Sequence, residues 1–578
     1  MKPVTGAALT SALLAGLLVV APTAAVAQQS AIYGERDRIH PVYGQSGMVA
    51  TQEAEATRIG LEVLRNGGNA VDAAASVAFA LAVTLPSAGN LGGGGFMLVH
   101  DAHSGETVAI DYREKAGGKA FRDMFLDEAG EADPEKSRYS GLAVGVPGSV
   151  AGLALALERY GTISLAEALE PAIELAGQGI TVSQNLAASL EGVSERLQKW
   201  ASSTRIFYKA GGVPYRPGET LVQRDLAASL RLIAEQGPEA VYGGPIGEKI
   251  VAAVARAGGH LTIDDFRNYE AVVRAPVRGD YRGYEIVSMP PPSSGGVHIV
   301  QILNTLEGFP IGFLGHNGAE TIHLMAEAMK LAYADRSEYL GDPGFVDVPV
   351  AALTSEAYGA HLRGLISRSR ARPAAEIAPG DLAPYESSET THFSIVDAAG
   401  SAVANTYTIN FSYGTGLVAE GTGILLNNEL DDFSPKPGVP NAYGLIGGDA
   451  NAVAPDKRPL SSMSPTILLA DGAPFLVTGS PGGSRIITTV LQIIMNLVDH
   501  GMNIAEATYA PRIHHQWLPD ELRIEEGLSP DTIRLLEQMG HRVSVQDAMG
   551  STHSIMVTEG GLFGSSDPRT PGALTLGY

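Results

Sequence analysis

The chain has 578 residues, 45 % apolar and 18 % charged, and its 63 acidic against 40 basic residues leave a formal charge of −23. That balance excludes a nucleic-acid partner, which needs a basic surface, and suits a well-solvated enzyme. The absence of cysteine excludes disulfides, thiolate catalysis and cysteine-built zinc sites.

The first element reads as an export signal. Lys2 precedes an apolar stretch from about Ala7 to Val20, and the small-residue pattern Ala25-Val26-Ala27 follows. The run is short for a membrane span, so the spacing predicts cleavage after Ala27. The mature chain is then expected on the far side of the inner membrane, in the periplasm, with no membrane anchor. Thr51–Leu64 reads as a helix, stopped by Asn66-Gly67-Gly68-Asn69. Ala70–Thr84 reads as a second helix without a polar face, which predicts burial between layers. Glycines 92 to 95 lead into a buried strand at Phe96–His100, with Val108–Tyr112 as its partner. Residues 140–380 read as helix-rich, with a clear helix at Ala319–Tyr339. Residues 368–389 have linker composition and end in Glu-Ser-Ser-Glu.

At Thr390 the pattern turns to β. Thr-Thr-His-Phe-Ser-Ile-Val-Asp alternates as a strand does, Ala398-Ala399-Gly400 is a turn, and Ser401–Ile409 is a second strand. A long loop spans 430–460. Strands at Thr466–Leu469 and Phe475–Thr478 follow, then a turn at Gly479-Ser480-Pro481-Gly482-Gly483 and a helix at Ile486–His500. Strands flanked by helices predict a layered α/β or α+β architecture.

The hairpin carries the first chemical reading. A three-residue loop ending in glycine sets Asp397 opposite Ser401. Extended outward, that register sets Thr390 opposite Thr408, with Cβ atoms about 4.5–5.5 Å apart. A threonine hydroxyl is a poor nucleophile without a base, and the threonine's own α-amine serves once the residue is a chain terminus. The linker ending at Glu389 is a place for such a break, although Thr-Thr at a strand start also reads as plain β-propensity. Gly482-Gly483, between a strand and a helix, would let backbone N–H groups face an oxyanion; the same pair also reads as an ordinary turn.

Several runs together resemble the gamma-glutamyltranspeptidase family. They are Gly-Gly-Gly-Gly-Phe-Met-Leu, Asp111-Tyr112-Arg113-Glu114, Val146-Pro147-Gly148-Ser149, Thr390-Thr391-His392-Phe393, Asn427-Asn428-Glu429-Leu430-Asp431-Asp432, Lys457 to Pro465, and Gly479 to Arg485. Their order is collinear over nearly the whole mature chain. The resemblance implies an α+β fold, the four-layer αββα sandwich of N-terminal nucleophile hydrolases. It implies a precursor divided into a signal (1–27), a large subunit (28–389) and a small catalytic subunit (390–578), with cleavage between Glu389 and Thr390. It implies Thr390 as nucleophile, Thr408 as its hydrogen-bond partner, and Gly482 and Gly483 as oxyanion hole. Arg113, helped by Ser461 and Ser462, would pair with the α-carboxylate of a gamma-glutamyl group, and Asn410, Glu429 and Asp432 would hold its α-ammonium. Tyr443 would be the wall residue of a lid loop. The implied substrates are glutathione and similar amides, with water, an amino acid or a dipeptide as acceptor and no metal or cofactor.

A zwitterionic substrate makes sense of this set, because arginine forks onto a planar carboxylate and paired acids suit an ammonium. Taken singly, each of these charges also reads as a surface ion pair. Two further readings use the same fold: a cephalosporin (glutaryl) acylase and a capsule depolymerase. A third, from a different class, is a non-enzymatic periplasmic binding protein for acidic peptides. No Gly-x-Ser-x-Gly elbow or His-Glu-x-x-His run is present.

Overall fold

A computed structural model describes residues 38–377, 390–436, 445 and 447–578. The segment expected to be an export signal, Glu389 and Tyr443 lie outside the described residues.

Two seven-stranded antiparallel sheets form the centre. One runs, edge to edge, Leu574–Gly577, Met48–Thr51, Thr391–Val396, Ala402–Thr408, Gly94–His100, Thr107–Tyr112 and Val272–Arg274. The other runs Val42–Gly44, Gly561–Ser566, His553–Thr558, Ala473–Thr478, Thr466–Ala470, Tyr284–Ser288 and Val277–Tyr281. Strand alternation separates two cores. Met97, Val99, Phe393, Ile395 and Val403 pack towards the helices Ala54–Arg65 and Ala70–Thr84. Phe96, Leu98, Val396, Ala402 and Ala404 pack with Leu476, Val477 and Ile555 of the facing sheet and with the helices Gly295–Leu306 and Arg485–Val498. The result is helix, sheet, sheet, helix, as the resemblance implies.

The helix Ala70–Thr84 is buried along its whole length. Asn69, expected only to stop the preceding helix, instead caps this one: its side chain accepts from Val71 and Asp72 N–H, and Asp72 answers by accepting from Asn69 N–H. The region 140–380 is helix-rich, but it also supplies three strands of the central sheets, Val272–Arg274, Val277–Tyr281 and Tyr284–Ser288. The first and second lie at sheet edges, where Arg278 and Asp280 point to solvent.

Both sheets are built from strands before residue 377 and strands after residue 390. The hairpin 391–408 lies between Met48–Thr51 and Gly94–His100, and the C-terminal strand Leu574–Gly577 caps Met48–Thr51. No helix among the described residues is long and apolar enough to cross a membrane.

Candidate active site

The hairpin has the register expected from sequence. Thr391 pairs with Tyr407 and Val396 with Ala402. Asp397 N–H donates to Ser401 O at 3.0 Å, and Gly400 takes φ +89°, the left-handed conformation this turn demands. One step beyond the ladder, Thr390 Oγ1 donates to Thr408 Oγ1 at 3.4 Å, and both residues are buried. Thr408 Oγ1 also accepts from Asn410 N–H at 2.8 Å.

The glycine turn lies beside Thr390. Gly482 has φ +133° and Gly483 φ +56°. A Cβ at Gly482 would meet nothing closer than 3.5 Å, so the requirement there is conformational rather than steric. Among the described residues neither glycine's N–H donates to a protein acceptor. The chain then enters the helix Arg485–Val498. Two free amides ahead of a helix N-terminus are an arrangement that stabilises an anion.

A narrow cleft leads from Thr390 and Gly483 to Thr408, Asn410, Arg113, Glu429, Asp432, Ser461 and Ser462. It therefore gathers every site residue expected from the resemblance except Gly482, which lines an adjoining cavity with Thr390, and Tyr443 and Glu389, which are not described. Arg113 follows the strand Thr107–Tyr112 and is locked from all sides. Its N–H donates to Asp111 Oδ1 at 3.0 Å, its carbonyl accepts from Tyr269 OH at 2.8 Å, and its Nε donates to Pro459 O at 3.3 Å. Asp111 is itself held by Arg274 at 2.8 Å and Arg458 at 3.4 Å.

The acids stand on a 3-10 turn, Glu429–Asp432. Asn427 fixes that turn, accepting from Glu429 N–H at 3.0 Å and donating to Gly92 O at 2.7 Å and Gly145 O at 2.9 Å. Arg113 pairs with Glu429 and with Asp432, so groups of opposite charge meet in the cleft. A third acid, Glu114, lies 3.8 Å from Arg113, is fully buried, and has no hydrogen-bond partner on either carboxylate oxygen. Burial pushes the Glu114 carboxyl up to about 7 against the pull of Arg113, and burial raises Glu429 and Asp432 as well. Burial thus favours the protonated form of each acid, and a cation beside them would favour the ionised form.

Two participants were not expected from sequence. Arg336, on the helix Ala319–Tyr339, donates to Ser462 Oγ at 3.1 Å and to Ser294 Oγ at 2.9 Å. It adds a second cation beside the serines, and burial lowers its guanidinium to about 10. Glu114 was visible only as part of a motif. Ser461 is held by the segment Pro292–Ser294, its N–H donating to Pro292 O at 2.8 Å and its carbonyl accepting from Ser294 N–H at 2.8 Å. Away from the cleft, His323, Glu327 and His541 could bring three metal-ligand atoms within 4.8 Å of one another. A cation is already there, since Lys330 Nζ lies 2.5 Å from Glu327 Oε1.

A buried threonine hydroxyl, two glycine amides and side chains of both charges thus share one site. A family profile described as "Gamma-glutamyltranspeptidase" matches residues 56–576. The "Glutathione hydrolase proenzyme" of Escherichia coli (strain K12) is 57 % identical over 570 residues, covering 98 % of each chain. Among solved structures, a cephalosporin acylase from Bacillus halodurans superposes with a TM-score of 0.82 at 29 % identity, covering 94 % of this chain and 98 % of that one. The gamma-glutamyltranspeptidase of Helicobacter pylori has a TM-score of 0.55 at 46 % identity, covering 56 % of this chain and 93 % of that one.

Proposed function

Because this chain belongs to the gamma-glutamyltranspeptidase family, we propose that the cleft around Thr390 is where its gamma-glutamyl chemistry takes place. The protein is a gamma-glutamyltransferase and glutathione hydrolase, made as a proenzyme that is processed into two subunits and acts on small molecules. The observation that carries the residue assignment is the geometry at Thr390. A buried hydroxyl, paired to Thr408 at 3.4 Å, adjoins two unengaged glycine amides and a clamp of both signs.

In the proposed maturation, Thr390 Oγ attacks the carbonyl carbon of Glu389. The peptide nitrogen leaves as the amine of Thr390, and an ester remains. Water then cleaves the ester, freeing the Glu389 carboxyl and the Thr390 hydroxyl. The products are a large subunit, 28–389, and a small one, 390–578, with 1–27 removed on export to the periplasm. In catalysis the freed α-amine accepts the hydroxyl proton as Oγ attacks the gamma-carbonyl. Gly482 and Gly483 N–H groups hold the oxyanion, each donor of this type worth about 3–4 kcal/mol. Arg113, Ser461 and Ser462 receive the α-carboxylate, and Asn410, Glu429 and Asp432 receive the α-ammonium. The leaving amine takes a proton back. Water, an amino acid or a dipeptide then takes the glutamyl group.

The acid side of the clamp distinguishes this from the acylase reading. A glutaryl group has no α-ammonium, and binding it would leave buried Glu429 and part-buried Asp432 beside a carboxylate, which is costly. The test is N-terminal sequencing of the mature small fragment, combined with turnover of gamma-glutamyl-p-nitroanilide against glutaryl-cephalosporin. Thr390 as first residue and preference for the glutamyl substrate are expected. An intact 389–390 bond in active enzyme overturns the nucleophile assignment.

A further inference from the structure

The glycine turn is conformationally demanding, with φ positive at two consecutive residues, and something must hold it. Ser480 Oγ donates to Pro481 O at 2.7 Å and accepts from Ser551 N–H at 2.9 Å, which fixes the near end. The far end is Ser484. Its Oγ donates to Gln516 Oε1 at 2.8 Å, and its carbonyl accepts a hydrogen bond from the Tyr333 hydroxyl. Tyr333 is buried, and its ring lies between His298 and His514, with centroids at 6.3 and 5.9 Å. It sits on the helix Ala319–Tyr339, one turn before Arg336, which reaches Ser462. One helix from before the linker thus grips the glycine turn with one side chain and the carboxylate-facing serine with another.

We propose that Tyr333 is a positioning residue for the oxyanion hole. The inference rests on the reading of Gly482 and Gly483 given above. By drawing the Ser484 carbonyl back against the helix, its hydroxyl fixes the backbone just after the two glycines and keeps their N–H groups turned towards Thr390. Loss of that bond removes the Tyr333 donor from the buried Ser484 carbonyl and frees the turn to relax from its positive-φ geometry. The oxyanion develops after substrate binding, so loosened amides cost transition-state stabilisation and leave ground-state binding unchanged.

The experiment compares mature wild type, Tyr333→Phe and Gly482→Ala with gamma-glutamyl-p-nitroanilide. It adds inhibition constants for L-glutamate, a ground-state ligand, and for a gamma-boronic analogue of glutamate, which becomes a tetrahedral anion on Thr390. Tyr333→Phe keeps the ring and its packing and removes one oxygen. Expected are a ~10- to 100-fold fall in kcat, KM and the glutamate constant within twofold of wild type, and boronate affinity reduced by the same factor as kcat/KM. Restoring the donor with 3-fluorotyrosine at position 333 should restore kcat. Unchanged kcat in Tyr333→Phe, with kcat lost in Gly482→Ala, overturns the role of Tyr333 and leaves the hole in place. An equal weakening of glutamate and boronate also overturns it, because that marks general damage. Unchanged kcat in Gly482→Ala sinks the oxyanion assignment itself. Should Tyr333→Phe fail to mature, O-methyltyrosine at position 333, which keeps the ring and removes the hydroxyl proton, takes its place: a fall in kcat matched by boronate and not by glutamate supports the proposal, and an unchanged kcat overturns it.

Discussion

Thr390 and Thr408 face each other across one hairpin, hydroxyl to hydroxyl at 3.4 Å, on strands whose register is fixed by six consecutive pairs. Thr408 also accepts from Asn410 N–H, so its own proton position is constrained. Thr408→Val keeps the shape and removes the partner. A lost hydrogen bond of this kind costs about 1–2 kcal/mol, so kcat is expected to fall roughly 5- to 30-fold, with slower self-cleavage. Band ratios on denaturing gels over time, together with kcat, check this. A variant that processes and turns over at the wild-type rate removes Thr408 from the mechanism.

Arg113 is held by backbone and side chains so that its fork faces the acids. Lysine offers a point charge and cannot bridge two groups in a plane. Arg113→Lys is expected to raise KM and to lower kcat/KM by about 100-fold, corresponding to about 3 kcal/mol for charged hydrogen bonds. Steady-state kinetics on gamma-glutamyl-p-nitroanilide read the effect. A KM near wild type contradicts the carboxylate assignment.

Gly482 has room for a methyl group but a φ of +133° that alanine resists. Gly482→Ala should therefore fold while misaligning one amide. The expected loss is roughly 10²- to 10³-fold in kcat, as for removal of one oxyanion donor. Circular dichroism separates this from unfolding, and normal kcat in a folded variant excludes Gly482 as a donor.

Glu114 gives a pH dependence. Its folded carboxyl is raised to about 7, first by burial, from an ordinary value of 4.5. A raised acid stabilises the fold fully below about pH 4.5, and that stabilisation is lost as pH rises through about 7. The contribution is on the order of 3 kcal/mol. Glu114→Gln stays neutral, so wild type should lose Tm relative to the variant between pH 4.5 and 8. A constant Tm difference across that range refutes the argument.

The local features were legible because short-range rules decide them. The hairpin register followed from Gly400 and loop length, and the burial of Ala70–Thr84 followed from its lack of a polar face. Arg336 and Tyr333 were not legible. They lie on a helix where Glu327, Lys330, Asp335 and Arg336 are all buried, so no amphipathic stripe separates core from site. Their partners are 126 and 151 residues away, and no pattern within the helix points to them. The edge strand Val277–Tyr281 does alternate, but charged residues on its outer face and Gly279 in its middle weakened the β signal.

The interleaving of strands from before and after the linker has a consequence for the lifetime of the mature enzyme. Once cut, the two polypeptides share both sheets, and neither can leave without unravelling the other. Order of this kind is acquired while the thread is continuous, and separated chains have no short route back to it. Durability after scission is therefore a matter of how slowly the weave first opens rather than of an equilibrium between open and closed forms.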